Sequence, residues 1–364
     1  MPSYSWLTLG PTQARLLAAV LVAYDPPVLG AGIRMLVGAP RVEESEVAGA
    51  PATIFRPARG QGPWPALVVF PGVTRMGRRH PALVGLGRGL ASIGALVVVA
   101  EPEGLARGEL TGTTVTQALA AAEAVAARRD AQRGRIALVG VSGGGTLALL
   151  AAAAPQLAAR VRAVAALAPV CDIVEAIRFV TTGAYRENDD LVGFATGDFF
   201  KLVVARSVVA CLPEGRDRTA LLGRLRALAD YGDTPLEELR TWPLEALDSG
   251  ARAVVRLLAN DDPTCFDELF SALPREVRES VESLSATAAA SRIGAPVELV
   301  VARTDKYIPL ADAISFAKAC STPRLTILES LEHAVPRASL FQARELAKLD
   351  GVLVRLLAAS YSRA

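Results

Sequence analysis

The sequence predicts an α/β fold: a doubly wound, mostly parallel sheet with a helical segment inserted into it. From about residue 51, short β-rich runs alternate with helical runs. Several of the β-rich runs are continuously apolar, which is typical of parallel strands buried on both faces. Between Asp172 and Pro296 this alternation stops, and helical patterns follow one another without a convincing buried strand. A structureless loop of that length is implausible, so we interpret the stretch as a helical insertion.

Seven runs are predicted to be strands, because apolar and β-branched residues are bounded in them by turn-forming residues. Good helix formers fill the segments between the runs, which favours parallel strands joined by right-handed crossovers. The predicted strands are 52–58, 65–72, 95–103, 135–142, 161–170, 296–305 and 323–330. The predicted helices are 114–129, 144–154, 199–212, 219–231, 244–259, 274–284 and an amphipathic segment that follows residue 340.

The pattern divides the chain into three parts. Residues 45–172 and 291–364 are predicted to form the α/β domain, residues 173–290 the helical insertion, and residues 1–44 an N-terminal helical extension. The apolar run Leu16–Tyr24 is too short to span a bilayer, and it lacks the flanking features of a signal peptide. We therefore expect no integral membrane span and a cytoplasmic location. This run could pack on the domain or contact a membrane or a partner.

The composition narrows the function classes. The 364 residues include 39 basic and 37 acidic side chains, a net charge of +2, so no electrostatic footprint for nucleic acid is present. The cysteines form neither a CxxC pair nor a Cys/His cluster, which argues against a zinc site. Free buried thiols are expected, with a Cys211–Cys265 bridge as the alternative. The four cysteines are Cys171, Cys211, Cys265 and Cys320.

A candidate nucleophile lies in the run Gly140-Val141-Ser142-Gly143-Gly144, which has the pattern G-x-S-x-G. The pattern alone is weak, but here it follows a buried strand and opens an apolar helix, as a nucleophile elbow requires. A glycine-rich turn or a phosphate-binding loop is the alternative. The spacing is not G-x-G-x-x-G, and no Gly-Lys-Ser/Thr follows.

In this motif and its context the chain resembles the α/β-hydrolase superfamily, over roughly residues 45–360. The resemblance implies a serine nucleophile, then an acid, then a histidine in chain order. It implies neither a cofactor nor a metal. Ser142 argues against the dehalogenases and epoxide hydrolases of the superfamily, which have Asp there, and against the dienelactone-hydrolase pattern, which has Cys.

The chain offers two histidines as general base. His333 follows the last predicted strand and precedes the final helix, which is where the family's catalytic histidine lies. His80 lies upstream of the nucleophile, and we expect it to be a structural residue or to line the mouth of the site. The sequence therefore favours His333 as the base.

The acid that orients the histidine has two main candidates. Asp305 ends the predicted strand VELVVARTD and is followed by Lys-Tyr-Ile-Pro, similar to the strand-end acid of the family. Asp172 ends the preceding strand, where some relatives place the acid. Glu101 and Glu103 are weaker alternatives.

An acyl-transfer site also needs two N–H donors for the oxyanion. We expect one from Gly143, directly after the nucleophile. The other is expected from Val73, because Gly72 lets the loop after the strand approach closely. Relatives often have His-Gly in this loop, where the chain has Pro71-Gly72.

The predicted function is hydrolysis of a small carboxylic ester through an acyl-enzyme on Ser142, with the insertion as a cap. An acyltransferase, a thioesterase or a peptidase could use the same triad. A catalytically silent binding protein is the alternative of another class. The sequence predicts no oligomeric state. Six apolar residues could line the acyl pocket or form the cap's own core: Phe199, Phe200, Leu202, Val203, Val208 and Val209.

Overall fold

The computed structural model describes residues 38–188, 190–230, 234–329, 331–333, 335–336 and 343–361. The predicted helix at Leu16–Tyr24 lies outside the described residues. Residues 41–44, at the end of the predicted N-terminal extension, belong to a strand.

Eight strands form the central sheet, and four shorter strands form two small ladders. The eight are β1 (Arg41–Val47), β2 (Ala50–Arg56), β3 (Trp64–Phe70), β4 (Leu96–Ala100), β5 (Ala131–Val141), β6 (Val161–Leu167), β9 (Val297–Ala302) and β10 (Pro323–Leu328). The four are β7 (Ala184–Glu187), β8 (Asp190–Gly193), β11 (Leu331–Glu332) and β12 (Val335–Pro336). The order in the sheet is β1-β2-β4-β3-β5-β6-β9-β10. β2 runs antiparallel to both of its neighbours, β1 and β4. The other six strands of this sheet pair in parallel: β4, β3, β5, β6, β9 and β10.

Twelve α-helices lie within the described residues. They are α1 (Pro81–Ser92), α2 (Gly112–Ala126), α3 (Gly143–Ala152), α4 (Ile173–Thr182), α5 (Asp198–Ala210), α6 (Arg216–Ala227), α7 (Pro235–Arg240), α8 (Ser249–Ala259), α9 (Phe266–Ser271), α10 (Arg275–Glu282), α11 (Leu310–Ala319) and α12 (Ala343–Tyr361). The predicted class, a mostly parallel doubly wound sheet with helices on both faces, is confirmed.

Every predicted strand has its counterpart in the sheet. The elements that were not predicted include β1 and the helices α1, α4, α7 and α9. β1 reads RVEESEV and is exposed along most of its length, so it has no apolar signal in the sequence. α1 contains three glycines, which have low helix propensity. Backbone pairing with β2 therefore determines the structure of β1, and packing of Leu83, Leu90 and Ala91 in the core determines that of α1.

The core has two layers, one on each face of the sheet. Successive residues of β3 alternate between them: Val68 and Phe70 face the layer that contains α2 and α3, while Leu67 and Val69 face α1 and α12. These β3 side chains are fully buried. The near-continuous apolar sequence of β3 follows from burial on both faces.

The helical segment from α4 to α10 leaves the sheet after β6 and returns to it at β9. These two strands are direct neighbours, with Val164 paired to Val297. The segment has its own apolar interior, which is continuous with the core layer under α3. Its only strands in the described residues are the short, largely exposed hairpin of β7 and β8. None of the helices in the described part of the chain is long and apolar enough to cross a membrane.

All four cysteines are free thiols, so the alternative of a Cys211–Cys265 bridge is wrong. Cys171 and Cys320 are buried, as expected, whereas Cys211 is half-buried and Cys265 is exposed. Burial raises the pKa of the Cys211 thiol to about 12, which keeps this thiol protonated and unreactive at neutral pH.

Candidate active site

Ser142 lies at the sharp turn between β5 and α3, with backbone angles φ 52° and ψ −124°. Its N–H donates to the Leu167 carbonyl at 2.7 Å, which fixes the turn to β6. The turn leaves no space for side chains beside the serine. A Cβ at Gly140 would lie 2.0 Å from the Gly144 oxygen, and one at Gly144 would lie 2.3 Å from the Phe70 oxygen. This crowding explains the glycines of the motif and gives Ser142 the strained geometry of a nucleophile elbow.

The loop after β3 lies directly against this turn. A Cβ built on Gly72 would be 3.5 Å from the Ser142 Cβ, and one built on Gly143 would be 2.9 Å from Val73 Cγ2. Within the described residues, neither the Val73 nor the Gly143 N–H donates to another loop, strand or side chain. The two N–H groups predicted to bind an oxyanion therefore belong to adjoining segments at the start of α3.

His333 and Asp305 form a hydrogen-bonded pair, with His333 Nδ1 and Asp305 Oδ2 2.8 Å apart. The Asp305 side chain is only 3% exposed. Its other oxygen, Oδ1, accepts the N–H groups of Tyr307 at 2.8 Å and Ile308 at 3.2 Å. A carboxylate with both oxygens engaged is held in one orientation, and it orients the imidazole in turn.

The position of His333 depends on the local backbone and on one aromatic neighbour. It follows β11 and has a φ of 57°, a left-handed conformation that is uncommon for residues other than glycine. The Tyr307 ring meets the imidazole edge to face, with ring centroids 5.0 Å apart. The bond from Nδ1 to Asp305 and the contact with the Tyr307 ring together fix the orientation of the imidazole, and with it the position of Nε2.

The other candidates from the sequence act as helix caps. His80 Nδ1 accepts the Ala82 N–H at 3.3 Å at the start of α1. Asp172 Oδ1 accepts the N–H groups of Val174 at 2.9 Å and Glu175 at 3.2 Å at the start of α4. Both side chains thus satisfy N–H groups that a helix leaves unpaired.

The two glutamates considered as alternatives also have other partners. Glu101 Oε2 accepts the backbone and side-chain N–H groups of Arg78, both at 3.2 Å. The exposed Glu103 forms an ion pair with Arg107 at 2.9 Å. Asp305 is therefore the carboxylate among the four candidates that pairs with His333.

Tyr307 was not singled out in the sequence, and it links the helical segment to the His333–Asp305 pair. Its carbonyl accepts the Thr196 hydroxyl at 2.9 Å. A Cβ on Gly197 would lie 2.9 Å from the Tyr307 ring, and the ring of Phe199 lies 6.3 Å away. The run Lys-Tyr-Ile-Pro after Asp305 was visible in the sequence, but these contacts with residues more than 100 positions away were not.

A cavity of about 250 Å³ adjoins this region. Val73 and Phe199 form part of its wall, so it extends from the loop beside Ser142 to the helical segment. Four guanidinium groups also line it, from Arg75, Arg107, Arg206 and Arg226. The cavity lining thus combines these four arginines with the carboxylate of Asp230 beside the loop that follows β3.

The sheet order and the serine at the turn after β5 define the class: the chain is an enzyme of the α/β-hydrolase superfamily, of the serine-hydrolase type. The comparison with family models is more specific. The model of the X-Pro dipeptidyl-peptidase (S15) family matches residues 50–247, and the chain belongs to that family. The match includes Ser142 and ends before Asp305 and His333. The pairing of Asp305 with His333 is therefore known from the structure and not from the family match.

Solved structures share the fold. Est1E from Butyrivibrio proteoclasticus is similar at a TM-score of 0.50 and 14% identity, over 88% of this chain and 100% of that one. The acylaminoacyl peptidase of Pyrococcus horikoshii is similar at a TM-score of 0.54 and 14% identity, over 92% of this chain and 45% of that one. Dipeptidyl peptidase 4 of Porphyromonas gingivalis is similar at a TM-score of 0.50 and 15% identity, over 92% of this chain and 37% of that one. This chain thus spans less than half of either peptidase. No curated protein matches it by sequence.

Proposed function

We propose that this protein hydrolyses carboxylic esters through an acyl-enzyme on Ser142, with His333 as general base and Asp305 as its orienting acid. The observation that supports the proposal best is the 2.8 Å hydrogen bond between Asp305 and His333 Nδ1. This bond leaves Nε2 as the imidazole nitrogen that can accept the proton of Ser142 Oγ. A serine, a histidine and a buried acid with these roles are what acyl transfer requires.

In the proposed reaction Ser142 Oγ attacks the ester carbonyl carbon while His333 Nε2 takes the hydroxyl proton. The carbonyl oxygen becomes an oxyanion, and the N–H groups of Val73 and Gly143 stabilise it. The C–O bond to the leaving alcohol then breaks, and the imidazolium returns its proton to that alcohol. Water, deprotonated by His333, attacks the acyl carbon, the bond between that carbon and Ser142 Oγ breaks, and the imidazolium returns its proton to Oγ as the acid is released. Each step uses only these groups, the ester and water.

The helical segment 173–290 is proposed to be a cap on the α/β domain of residues 45–172 and 291–364. Support comes from Phe199, which lines the cavity. The other five apolar residues of the predicted pocket are buried, which is the packing expected of the cap's own core: Phe200, Leu202, Val203, Val208 and Val209.

Cleavage of peptide bonds after an X-Pro dipeptide is the second candidate, and the family match favours it. The chemistry is the same except that His333 would protonate an amine as the leaving group. Two chromogenic series separate the candidates: p-nitrophenyl esters of increasing acyl length, and X-Pro p-nitroanilides. A serine peptidase also cleaves activated esters, so the anilides decide. We expect turnover of a short ester without release of p-nitroaniline from the X-Pro series, and turnover of an X-Pro anilide would replace the ester hydrolase with a peptidase.

Ser142→Ala tests the nucleophile in either case. The variant should fold normally and lose kcat by several orders of magnitude, because the covalent route is gone. A fluorophosphonate probe should label the wild type and leave the variant unlabelled. Labelling at another serine, or substantial activity in the variant, would contradict the assignment.

A further inference from the structure

Among the described residues, the arginine-rich cavity wall contains four guanidinium groups and one carboxylate, that of Asp230. Of its four guanidinium groups, that of Arg206 has a purely structural environment. Arg206 is buried and donates to the carbonyls of Leu225 at 2.9 and 3.1 Å and of Arg107 at 3.3 Å. These bonds fix it in the wall and leave it little freedom to bind a ligand.

Arg226 and Arg107 are neutralised by neighbouring carboxylates. Arg226 makes a bidentate pair with the buried Glu109, at 2.6 and 2.9 Å. Arg107 pairs with Glu103 at 2.9 Å and lies 3.7 Å from Glu109. The carboxylates of Glu103 and Glu109 therefore neutralise these two guanidinium groups.

Arg75 has a different environment. It shares a single carboxylate with Arg206: Asp230 Oδ2 lies 2.7 Å from Arg75 Nε, and Oδ1 lies 3.5 Å from Arg206 Nη1. The Arg75 side chain is 73% exposed, whereas that of Asp230 is 16% exposed. Asp230 thus anchors Arg75 at the cavity, and among the described residues the four guanidinium groups pair with three carboxylates, those of Glu103, Glu109 and Asp230.

We propose that Arg75 selects substrates that carry a carboxylate on the part of the ester bound in this cavity. The inference rests on the proposed ester hydrolysis and names its substrate class: esters with a free acid group a few bonds from the scissile carbonyl. Arg75 and Val73, whose N–H is the proposed oxyanion donor, both line this cavity. A cavity of about 250 Å³ is larger than the ~150 Å³ that holds a benzene ring, which suits a short acidic chain.

The geometry of a guanidinium favours this ligand. Its planar set of donors matches a carboxylate, and Arg75 can offer N–H groups to a ligand in addition to the pair with Asp230. The excess charge of the wall favours an anion over a neutral chain of the same size.

The test compares two esters that differ in charge and little in size: mono-4-nitrophenyl adipate and 4-nitrophenyl hexanoate. The wild type should have the higher kcat/KM on the adipate ester. Arg75→Gln should lower the adipate-to-hexanoate ratio by about tenfold or more, the scale of one hydrogen bond to a charged group. Arg79→Gln is the matched control: its side chain is 72% exposed, it lies 4.0 Å from Glu44, and it is not among the residues that line the cavity. It should leave the ratio unchanged.

A binding measurement separates this inference from the proposed reaction. Calorimetric titration of adipate into Ser142→Ala should give an affinity that falls at least fivefold when Arg75→Gln is added. If adipate binding depends on Arg75 but no ester is cleaved, the proposed function fails and the carboxylate site stands. If esters are cleaved with the same ratio in Arg75→Gln and in the wild type, the carboxylate site is overturned and the hydrolase stands.

Discussion

The buried carboxylate of Asp305 is held in one orientation by hydrogen bonds to both of its oxygens. Three donors surround its carboxylate: His333 Nδ1 and the N–H groups of Tyr307 and Ile308. The two backbone bonds come from the turn that leads into α11, so the acid is part of a rigid element. Hydrogen bonds to a carboxylate are short and strong, and they hold the group that orients the imidazole.

Asp305→Asn should lower kcat on a short-chain ester by about 10²–10⁴-fold, the scale known for triad acids. An amide can stabilise the wrong tautomer of His333 and does not stabilise its imidazolium. Steady-state kinetics, with circular dichroism to confirm folding, measures the effect. Asp172→Asn is the matched control, because asparagine also caps helices, and its kcat should change by less than about tenfold. A larger loss at Asp172 than at Asp305 would move the acid to the end of β6.

The residues that the sequence could propose are those that follow strong apolar strands. Ser142, Asp305 and His333 each come at or shortly after the end of such a strand, and carboxyl ends of parallel strands meet at one edge of the sheet. Tyr307 and Arg75 could not be assigned a role, because their partners come from the inserted helical segment. Periodicity along the chain contains no information about contacts between segments so far apart.

At the scale of elements, several residues of the helical segment contact Tyr307 beside the site. Thr196 donates to the Tyr307 carbonyl, and Gly197 and Phe199 pack on the Tyr307 ring. That ring meets His333 edge to face. Among the described residues, the Tyr307 ring thus connects the helical segment to the imidazole. The sequence predicted the insertion and most of its helices, because their apolar periodicity is local.

Tyr307→Ala should lower kcat on a short ester by about tenfold, because His333 loses the ring that restrains it. Tyr307→Phe keeps the ring and should retain most of the wild-type kcat. The two variants are compared by kcat and by thermal midpoint. Loss of stability in Tyr307→Ala without loss of kcat in the folded fraction would show a role confined to packing. An equal loss of kcat in both variants would assign the effect to the hydroxyl.

At the scale of the whole molecule, two buried carboxylates, Glu298 and Asp312, hold the C-terminal helices α12 and α11 in place. Glu298 on β9 forms a bidentate pair with Arg355 on α12, at 2.6 and 2.7 Å. On the other face, Asp312 in the first turn of α11 accepts the N–H groups of Cys171 at 2.8 Å and Asp172 at 2.9 Å. Asp312 thus joins the start of the helical segment to the C-terminal part of the domain. Sequence analysis predicted the elements on both sides of these contacts, but not the contacts themselves.

Asp312 gives the fold a dependence on pH. Burial raises its pKa from 3.8 to about 7, and the neighbouring charge of Asp172 acts in the same direction, while the two N–H donors oppose the rise. Between about pH 4 and 7 the folded protein therefore keeps a proton at Asp312 that the unfolded chain has lost. Stability linked to this group is fully present below pH 4 and is lost as the pH rises through about 7, because the folded state binds the additional proton.

Asp312→Asn removes the titrating group, so a comparison of the variant with the wild type measures the contribution of Asp312 to stability at each pH. The free energy of unfolding of the wild type, minus that of the variant, should be smaller at pH 8 than at pH 5 by about 2–3 kcal/mol, since each pH unit below the raised pKa corresponds to ~1.4 kcal/mol. Urea unfolding at the two pH values gives both quantities. Asp261→Asn is the control for loss of a surface carboxylate, because the Asp261 side chain is 77% exposed, and its difference should be the same at both pH values. An Asp312→Asn difference that is independent of pH, or that grows from pH 5 to pH 8, would show that the two N–H donors outweigh burial and hold Asp312 ionised throughout this range.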